Sequence, residues 1–278
     1  MNPEYPGLDD FLLSAMKEDI GTGDVTTNSC VPADAASKGV FKAKEPGVIC
    51  GFGFVIRLFE LLDPGVRITR LVQDGDSVKA GDTIAEITGP SGSILTGERV
   101  ALNILQHMSG VATKTADAVK AVSGTKARIV DTRKTTPGMR VFDKYAVRCG
   151  GGHNHRFNLS DGVLIKDNHI VASGGIANAV ALARKHCPLT VKIEVETESV
   201  AQVAEALEAG ADIIMLDNMP ADMMVEAVNL IGGRALTEAS GNMGQRDLKA
   251  VAETGVDFIS IGALTHSARA LDVSLKFM

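Results

Sequence analysis

The second half of the chain repeats one pattern of apolar and polar positions. Each unit has a β-branched apolar run that ends in a polar residue or glycine, a polar linker, a segment with helical spacing, and a glycine. The runs occupy residues 127–131, 163–166, 191–196, 213–217, 235–240 and 258–262. Apolar runs that alternate with helical segments predict parallel strands joined by right-handed crossovers.

The residues that close the last four runs are regularly spaced. Glu196, Asp217, Ser240 and Gly262 follow one another at intervals of 21, 23 and 22 residues. About six such units indicate a closed or nearly closed α/β barrel, whose active site lies where strands end and helices begin. An open doubly wound sheet is the alternative, but no G-x-G-x-x-G motif follows a strand.

The first ~110 residues have a different pattern. Residues 71–89 alternate apolar and polar positions around Asp-Gly and Ala-Gly turns, which predicts antiparallel strands. The stretch is similar to a lipoyl or biotinyl carrier hairpin, yet residues 90–95 contain no lysine for attachment, so we interpret it as a scaffold. Residues 98–109 have a helical stripe, with Val100, Ile104 and Met108 on one side.

Composition narrows the class of protein. The 278 residues, 45% hydrophobic with mean hydropathy +0.12, suffice for one large domain or two smaller ones. No apolar run approaches the ~20 residues that span a bilayer, and the acidic N-terminus is unlike a secretion signal. Four scattered cysteines without a C-x-x-C pair favour free thiols in the cytoplasm. A net charge of −6 and no tryptophan argue against nucleic acid binding.

Residues 131–169 depart from this acidic background. They hold seven Lys and Arg against four Asp, together with three of the six histidines and three consecutive glycines, Gly150–Gly152. A solvated basic face would be richer in lysine and less interrupted by Gly and Pro. The stretch therefore favours a pocket for a multiply charged anion.

Several strings carry a family resemblance. They are EDIGTGDVTT (18–27), GERVALNILQHMSGVAT (97–113), DTRKTTPG (131–138), KYAVRCGGGHNHR (144–156), LIKDNHI (164–170), EVE (194–196), MLDN (215–218), EASG (238–241) and IGALTHSARALDVSL (261–275). In order and spacing the chain resembles the quinolinate phosphoribosyltransferases, the carboxylating nicotinate-nucleotide pyrophosphorylases of the type II phosphoribosyltransferase family. The likeness covers nearly the whole chain.

The resemblance implies a fold and a reaction. We expect an N-terminal α/β sandwich domain over residues 1–110 and an incomplete, about seven-stranded TIM-like α/β barrel with the active site over 111–265. A C-terminal tail, 266–278, would pack back on the N-terminal domain. Quinolinate and phosphoribosyl pyrophosphate (PRPP) would give nicotinate mononucleotide, CO2 and pyrophosphate, with Mg2+ as cofactor. The family works as a homodimer or larger homo-oligomer, and neither nucleic acid nor membrane is expected as a partner.

The resemblance also implies site residues. For the two carboxylates of quinolinate they are Arg133, His155, Arg156 and Lys166, with Arg99 from a partner subunit. For PRPP they are Thr132, Lys134, Lys166, Glu196 and Asp217, the last two as candidate Mg2+ ligands besides PRPP itself. The 5′-phosphate would lie at Ser240, Gly241, Asn242, Gly262 and His266. Catalysis is expected to involve Lys134, Lys166, Glu196 and Asp217, although a salt bridge to a nearby lysine is the alternative for both acids.

Two positions depart from the family pattern, and rival functions stay open. Asn242 and Asn158 stand where many relatives have Gly, and asparagine tolerates a left-handed backbone better than most residues.

A barrel lyase with Lys166 as a Schiff-base amine is one rival function, and a phosphoribosyltransferase acting on another pyridine is a second. A carrier or binding module centred on residues 71–89 is the non-enzyme rival.

Overall fold

A computed structural model describes residues 5–278, so the first four residues of the expected N-terminal domain lie outside the described residues. The chain divides into two compact units. The first comprises the chain up to Lys114 with Val141–Gly151 and Ala268–Met278, and the second comprises Thr115–Arg140 with Gly152–Ser267. Residues 141–151, within the range expected for the barrel, therefore group with the first unit.

The helices are α1 (Leu8–Ile20), α2 (Val25–Cys30), α3 (Phe52–Leu62), α4 (Ser91–Ala121), α5 (Arg140–Cys149), α6 (Asp167–Ser173), α7 (Ile176–His186), α8 (Val200–Glu208), α9 (Ala221–Ile231), α10 (Leu248–Glu253) and α11 (Ala263–His266). The strands are β1 (Ala36–Ala43), β2 (Gly47–Val48), β3 (Arg67–Arg70), β4 (Ser77–Val78), β5 (Thr83–Pro90), β6 (Arg128–Val130), β7 (Val163–Ile165), β8 (Ile193–Thr197), β9 (Ile213–Asp217), β10 (Leu236–Ser240), β11 (Phe258–Ser260) and β12 (Val273–Phe277). Within residues 5–278, no helix combines the length and the apolar character that a bilayer crossing demands.

The first unit is built on an antiparallel sheet. Its strand order is β12-β1-β5-β3, and β2 pairs separately with β4. The antiparallel strands expected in residues 71–89 are confirmed by β4 and β5. The predicted helix is also confirmed, although α4 runs for 31 residues and buries Val100, Ile104 and Met108. The C-terminal strand β12 joins this sheet beside β1, with Val273 opposite Ala43.

Aromatic side chains fill the core beside this sheet. Phe41 and Phe52 are both fully buried, with ring centroids 5.9 Å apart in an edge-to-face arrangement. Phe54 packs against Phe142 of α5 with the ring centroids 4.8 Å apart and the ring planes tilted by 44°. Large rings of this kind contribute much of the buried apolar area of a core. They explain why the α5 segment belongs to the first unit.

All six strands predicted from the repeated runs form one parallel sheet in the second unit. Their order is β6-β11-β10-β9-β8-β7, so sequential strands are neighbours and the first strand comes round to lie beside the last. A doubly wound sheet would instead reverse its order at a switch point. The order is that of an α/β barrel left open between β6 and β7.

His153 occupies part of that opening. It forms a parallel bridge with Val130, in which the His153 N–H donates to the Ile129 carbonyl at 2.9 Å and the Asp131 N–H donates to the His153 carbonyl at 3.1 Å. A single residue thus takes the position of an additional strand beside β6. This bridge accounts for the difference between the six strands observed and the about seven expected.

The parallel register places the functional ends of the strands together. Asp217 at the end of β9 lies beside Ser240 at the end of β10, and Glu196 near the end of β8 pairs with Met215 of β9. Helices follow each strand, and α8 shows why they begin where they do. The Ser199 hydroxyl accepts the Gln202 N–H at 3.3 Å, and serine is among the residues that best cap the start of a helix.

Candidate active site

A cavity of about 380 Å3 opens at the carboxyl ends of these strands. It is lined by Thr132, Arg133, Lys134, His155, Arg156, Leu164, Lys166, Glu196, Met215, Asp217, Glu238, Ser240 and Ser260. Nine of these residues are among the fourteen candidates named from the sequence. The cavity lies at the face of an α/β barrel that carries the active site in enzymes of this architecture.

One side of the cavity is cationic. Burial and the neighbouring Arg133 guanidinium lower the pKa of Arg156, because the two cations repel each other. Arg156 is held in place by a hydrogen bond from its guanidinium to the Gly162 carbonyl at 3.0 Å. Arg133 Nε is buried and has no acceptor within residues 5–278. A buried donor without a partner costs free energy, which an anionic ligand would recover.

Arg140 supports the loop that carries these cations. Its guanidinium donates to the Arg133 carbonyl, the Thr135 hydroxyl and the Phe157 carbonyl at 3.4, 3.1 and 3.2 Å. The Thr132 hydroxyl accepts the Lys134 N–H at 3.0 Å and closes a tight turn. Three donors from one side chain hold both ends of the loop, so Arg140 is a positioning residue.

The opposite side is acidic. Lys166 Nζ lies 2.5 Å from Glu196 Oε2, so the salt bridge considered for Glu196 is present. Asp217 makes no salt bridge with a lysine among the described residues; its Oδ2 accepts the side-chain amide of Asn218 at 2.7 Å. Glu196 is mostly buried, with 12% of its side chain exposed, whereas Lys166 is 45% exposed. The lysine is therefore the partner that can move when an anion enters.

A buried cluster lies beneath the cationic side. His155 Nε2 is 3.0 Å from Glu194 Oε2 and 3.4 Å from Glu238 Oε2, and both carboxylates are almost completely buried. The Oε1 atoms of Glu194 and Glu238 are buried without a hydrogen-bond partner in the described chain. His155 and Glu238 line the cavity, while Glu194 lines a second one of about 430 Å3 that borders the first residues of the strands.

Proximity and burial decide the protonation of this cluster. Burial and the charge of Glu238 raise the pKa of Glu194 to about 7. Burial opposes a charged His155, but hydrogen bonds to Glu194 and Glu238 outweigh it and raise the pKa of His155 to about 10. However, His155 Nδ1 accepts the Arg156 N–H at 2.7 Å, which requires an unprotonated Nδ1. A neutral His155 with the proton on Glu194 satisfies this contact and leaves the total charge of the cluster unchanged.

The candidate phosphate end adjoins the cavity. Gly241 has φ +93°, and an added Cβ would lie 2.7 Å from the Asn218 backbone nitrogen. At Gly262 an added Cβ would lie 2.9 Å from Lys134 Cδ and 3.3 Å from His266 Nε2. The Thr265 hydroxyl donates to the Lys134 carbonyl at 2.8 Å. Glycine therefore lets Lys134 and His266 approach the start of α11.

The two asparagine departures differ in backbone conformation. Asn242 has φ +50°, the left-handed conformation that asparagine was expected to tolerate. Asn158 is not among the positive-φ residues of the described chain. Its side-chain oxygen instead accepts the N–H and hydroxyl of Ser160 at 2.8 and 2.6 Å. The left-handed argument is therefore confirmed at Asn242 and does not apply at Asn158, where a side-chain turn forms instead.

Five predicted residues do not line the cavity. Gly241 and Asn242 follow the lining residue Ser240, Gly262 lies close to Lys134 and His266, and Arg99 is exposed on α4 in the first unit. Sequence reasoning missed Leu164, Met215, Glu238 and Ser260 as lining residues, and Glu194 below them. The two glutamates did have a sequence signal, because each is an acid inside an apolar strand, IEVET in β8 and LTEAS in β10. A charge is buried in such a strand only when it has a partner.

An α/β barrel whose mouth carries fixed cations on one side and carboxylates on the other defines an enzyme class that binds polyanionic small molecules. Comparison with known families makes this specific. Residues 24–109 match the quinolinate phosphoribosyl transferase N-terminal domain, and residues 111–276 match the C-terminal domain of the same family. The chain belongs to the quinolinate phosphoribosyltransferase family.

Individual relatives agree with this assignment. The chain is similar to a probable carboxylating nicotinate-nucleotide pyrophosphorylase of Bacillus subtilis, with 46% identity over 93% of this chain and 89% of that protein. A probable enzyme of the same name from Synechocystis is 44% identical over 99% of this chain and 94% of that protein. The solved nicotinate-nucleotide pyrophosphorylase of Francisella tularensis is 41% identical, with a TM-score of 0.94 over 99% of this chain and 98% of that one.

Proposed function

We propose that the protein transfers the phosphoribosyl group of PRPP to quinolinate with decarboxylation, giving nicotinate mononucleotide, CO2 and pyrophosphate in de novo NAD synthesis. One observation carries the proposal. In a member of this family, the cavity at the barrel mouth places Arg133, Lys134, Arg156 and Lys166 around the same space as Glu196 and Asp217. This arrangement suits an aromatic diacid beside an activated sugar phosphate.

Quinolinate is assigned to the cationic side. Arg133 and Arg156 would each hold a carboxylate, since a guanidinium can bind one with two parallel hydrogen bonds. Arg133 Nε supplies one donor that no protein group in the described part of the chain uses. Both ring nitrogens of His155 contact protein groups, so we assign it to hold Arg156 and the floor of the pocket as well as to line the site. Thr132 would fix the turn that presents Arg133 and Lys134.

PRPP is assigned to the acidic side and the glycine end. Lys134 and Lys166 would contact the pyrophosphate, and Glu196 and Asp217 the ribose hydroxyls. Ser240, Gly241, Asn242, Gly262 and His266 would surround the 5′-phosphate, where glycines let backbone N–H groups approach an anion. Lys166 would leave Glu196 to do so, which its exposure allows.

Magnesium fits the acidic residues. Two carboxylates on neighbouring strands, with PRPP oxygens completing the shell, match the sparse protein coordination that Mg2+ prefers. Glu196 and Asp217 would hold the ion, which supplies charge neutralisation for the departing pyrophosphate. The protein groups orient PRPP and quinolinate, and their positive charge stabilises the leaving group as the ribose becomes cationic. The ribosylated pyridinium ring then accepts the electron pair that the departing CO2 leaves.

We also propose a homodimer or larger homo-oligomer located in the cytoplasm. Arg99 is exposed and does not line the cavity of its own chain, which supports its action in the site of a partner subunit. Four free cysteines support a reducing compartment.

The deciding assay supplies quinolinate, PRPP and Mg2+ to the purified protein and follows nicotinate mononucleotide and CO2. Nicotinate is the control acceptor, because it lacks the carboxylate that the cationic side would bind and release. We expect nicotinate mononucleotide to form with quinolinate as the acceptor and not with nicotinate. A Lys134→Ala variant should lose this activity. Equal turnover of nicotinate would refute the proposed acceptor.

A further inference from the structure

Two of the four cysteines meet in the first unit, although they are 99 residues apart in sequence. Cys50 lies between β2 and α3, and Cys149 is the last residue of α5. Their sulfur atoms and a carboxylate oxygen of Asp74 all lie within 4.8 Å of one another. Neither cysteine lines the proposed active site, so this pair is a separate chemical feature.

The surroundings make Cys50 a fixed partner. Its N–H donates to the Ser109 hydroxyl at 3.0 Å, and that hydroxyl donates to the Cys50 carbonyl at 3.3 Å. The residue is fully buried. Gly51, which follows it, has φ +118° and would place an added Cβ 2.9 Å from Met108 Sδ. Cys50 therefore stays in place while the partner moves.

Cys149 is the more accessible partner. It is half-buried at the end of a helix and is followed by Gly150 and Gly151. A disulfide requires a sulfur–sulfur distance of about 2.05 Å, so closure from within 4.8 Å needs a movement of at most about 3 Å. Rotation about the Cα–Cβ bond of Cys149 between staggered positions supplies a displacement of this size.

The thiol chemistry gives the two residues different roles. A hydrogen bond from Cys50 lowers the pKa of Cys149, and burial raises the pKa of Cys50. The thiolate is the attacking species in exchange reactions, and access decides which thiol meets a reagent. Cys149 is favoured on both counts as the attacking residue, with Cys50 behind it as the resolving residue.

Asp74 argues against a metal site at this position. Its Oδ1 accepts the N–H groups of Gly51 and Phe52 at 3.1 and 3.3 Å, and its Oδ2 accepts the Tyr145 hydroxyl at 2.9 Å. Both carboxylate oxygens are therefore engaged by three donors. A metal ion would have to displace at least one of them.

We propose that Cys50 and Cys149 form a redox-active dithiol that low-molecular-weight disulfides convert to an intramolecular disulfide. The Cys149 thiolate attacks one sulfur of the reagent, forms a mixed disulfide and releases one thiolate. Cys50 then gives up its proton, and its sulfur attacks the Cys149 sulfur and releases the second thiol. The two protein thiols are oxidised, and one reagent disulfide is reduced to two thiols.

The test uses the full-length protein with Cys30 and Cys187 changed to serine, which leaves the two thiols in question. Oxidised glutathione is added, and titratable thiols, intact mass and disulfide-linked peptides are measured. We expect both thiols to disappear, the mass to fall by two hydrogens without an adduct, and a peptide joining Cys50 to Cys149. Dithiothreitol should restore both thiols.

Single variants in that background separate the two roles. Cys50→Ser should trap one glutathione on Cys149, and Cys149→Ser should leave Cys50 unreacted. Peptide mapping of the oxidised natural sequence covers the case in which a variant fails to fold. A stable adduct on Cys149 with Cys50 still present would overturn the proposal. So would zinc bound to the purified protein at one equivalent and lost in Cys149→Ser.

Discussion

Gly241→Ala should be one of the most damaging single-methyl additions in the barrel. Gly241 has φ +93°, and the added Cβ would lie 2.7 Å from the backbone nitrogen of Asn218, an atom that cannot move without β9. A left-handed backbone costs an alanine roughly 1–2 kcal/mol. Forced overlap in packed surroundings adds roughly 1–3 kcal/mol. We expect the free energy of unfolding to fall by roughly 2–5 kcal/mol.

The control separates strain from overlap. Gly210 also has a positive φ, +82°, but no atom lies within 4 Å of an added Cβ. Gly210→Ala should therefore lower the free energy of unfolding only by the cost of a left-handed backbone, roughly 1–2 kcal/mol. Urea unfolding of both variants and the parent gives the difference. Gly241→Ala should also weaken PRPP binding, because Asn218 holds Asp217 Oδ2 at 2.7 Å. A Gly241→Ala variant that unfolds no earlier than Gly210→Ala and binds PRPP normally would refute the reasoning.

Four further outcomes are expected. Arg156→Ala should keep its circular dichroism spectrum and lose at least about a hundredfold in kcat/KM for quinolinate, about 2.7 kcal/mol of transition-state stabilisation; near-normal rates would contradict its assignment. Arg99→Ala mixed with Lys166→Ala should recover part of the activity, whereas no recovery after confirmed subunit exchange would indicate self-contained sites. His155→Ala should destabilise the fold by roughly 1.5–3 kcal/mol in thermal unfolding, because the buried Glu238 carboxylate loses a hydrogen-bond donor; adding Glu238→Gln should regain part of this, and a further loss would contradict the cluster. Chelation of Mg2+ by EDTA should abolish turnover and Mg2+ should restore it, so activity that persists would contradict the proposed cofactor.

The barrel could be predicted from the sequence because its signal is local and repeated. Each parallel strand is buried on both faces and forms a continuous apolar run, and the polar residue that ends it marks the mouth. Glu196, Asp217 and Ser240 could be placed at one rim from spacing alone. The Ser199 cap of α8 was equally readable, since capping involves residues three positions apart.

Long-range partnerships could not be read in the same way. The Glu194–His155–Glu238 cluster joins three segments, and only the fold shows that the two acids face one imidazole. The meeting of Cys50 with Cys149 had no sequence signal, because neither neighbours another cysteine. The role of α5 in the first unit depended on Phe142 packing against Phe54, a contact across 88 positions.

The single β-bridge at His153 makes the spacing from His153 to His155 and Arg156 critical. Side chains along an extended strand alternate between faces, and neighbouring strands usually fix this phase through many hydrogen bonds. Here two backbone hydrogen bonds at His153 do so for the segment that carries His155 and Arg156, together with the Asp131 carboxylate, which accepts the His155 N–H at 2.9 Å. Inserting one glycine between His153 and His155 would leave every proposed site residue in the chain and yet turn His155 and Arg156 away from the mouth. The proposed activity therefore depends on the number of residues in this segment as well as on their identity.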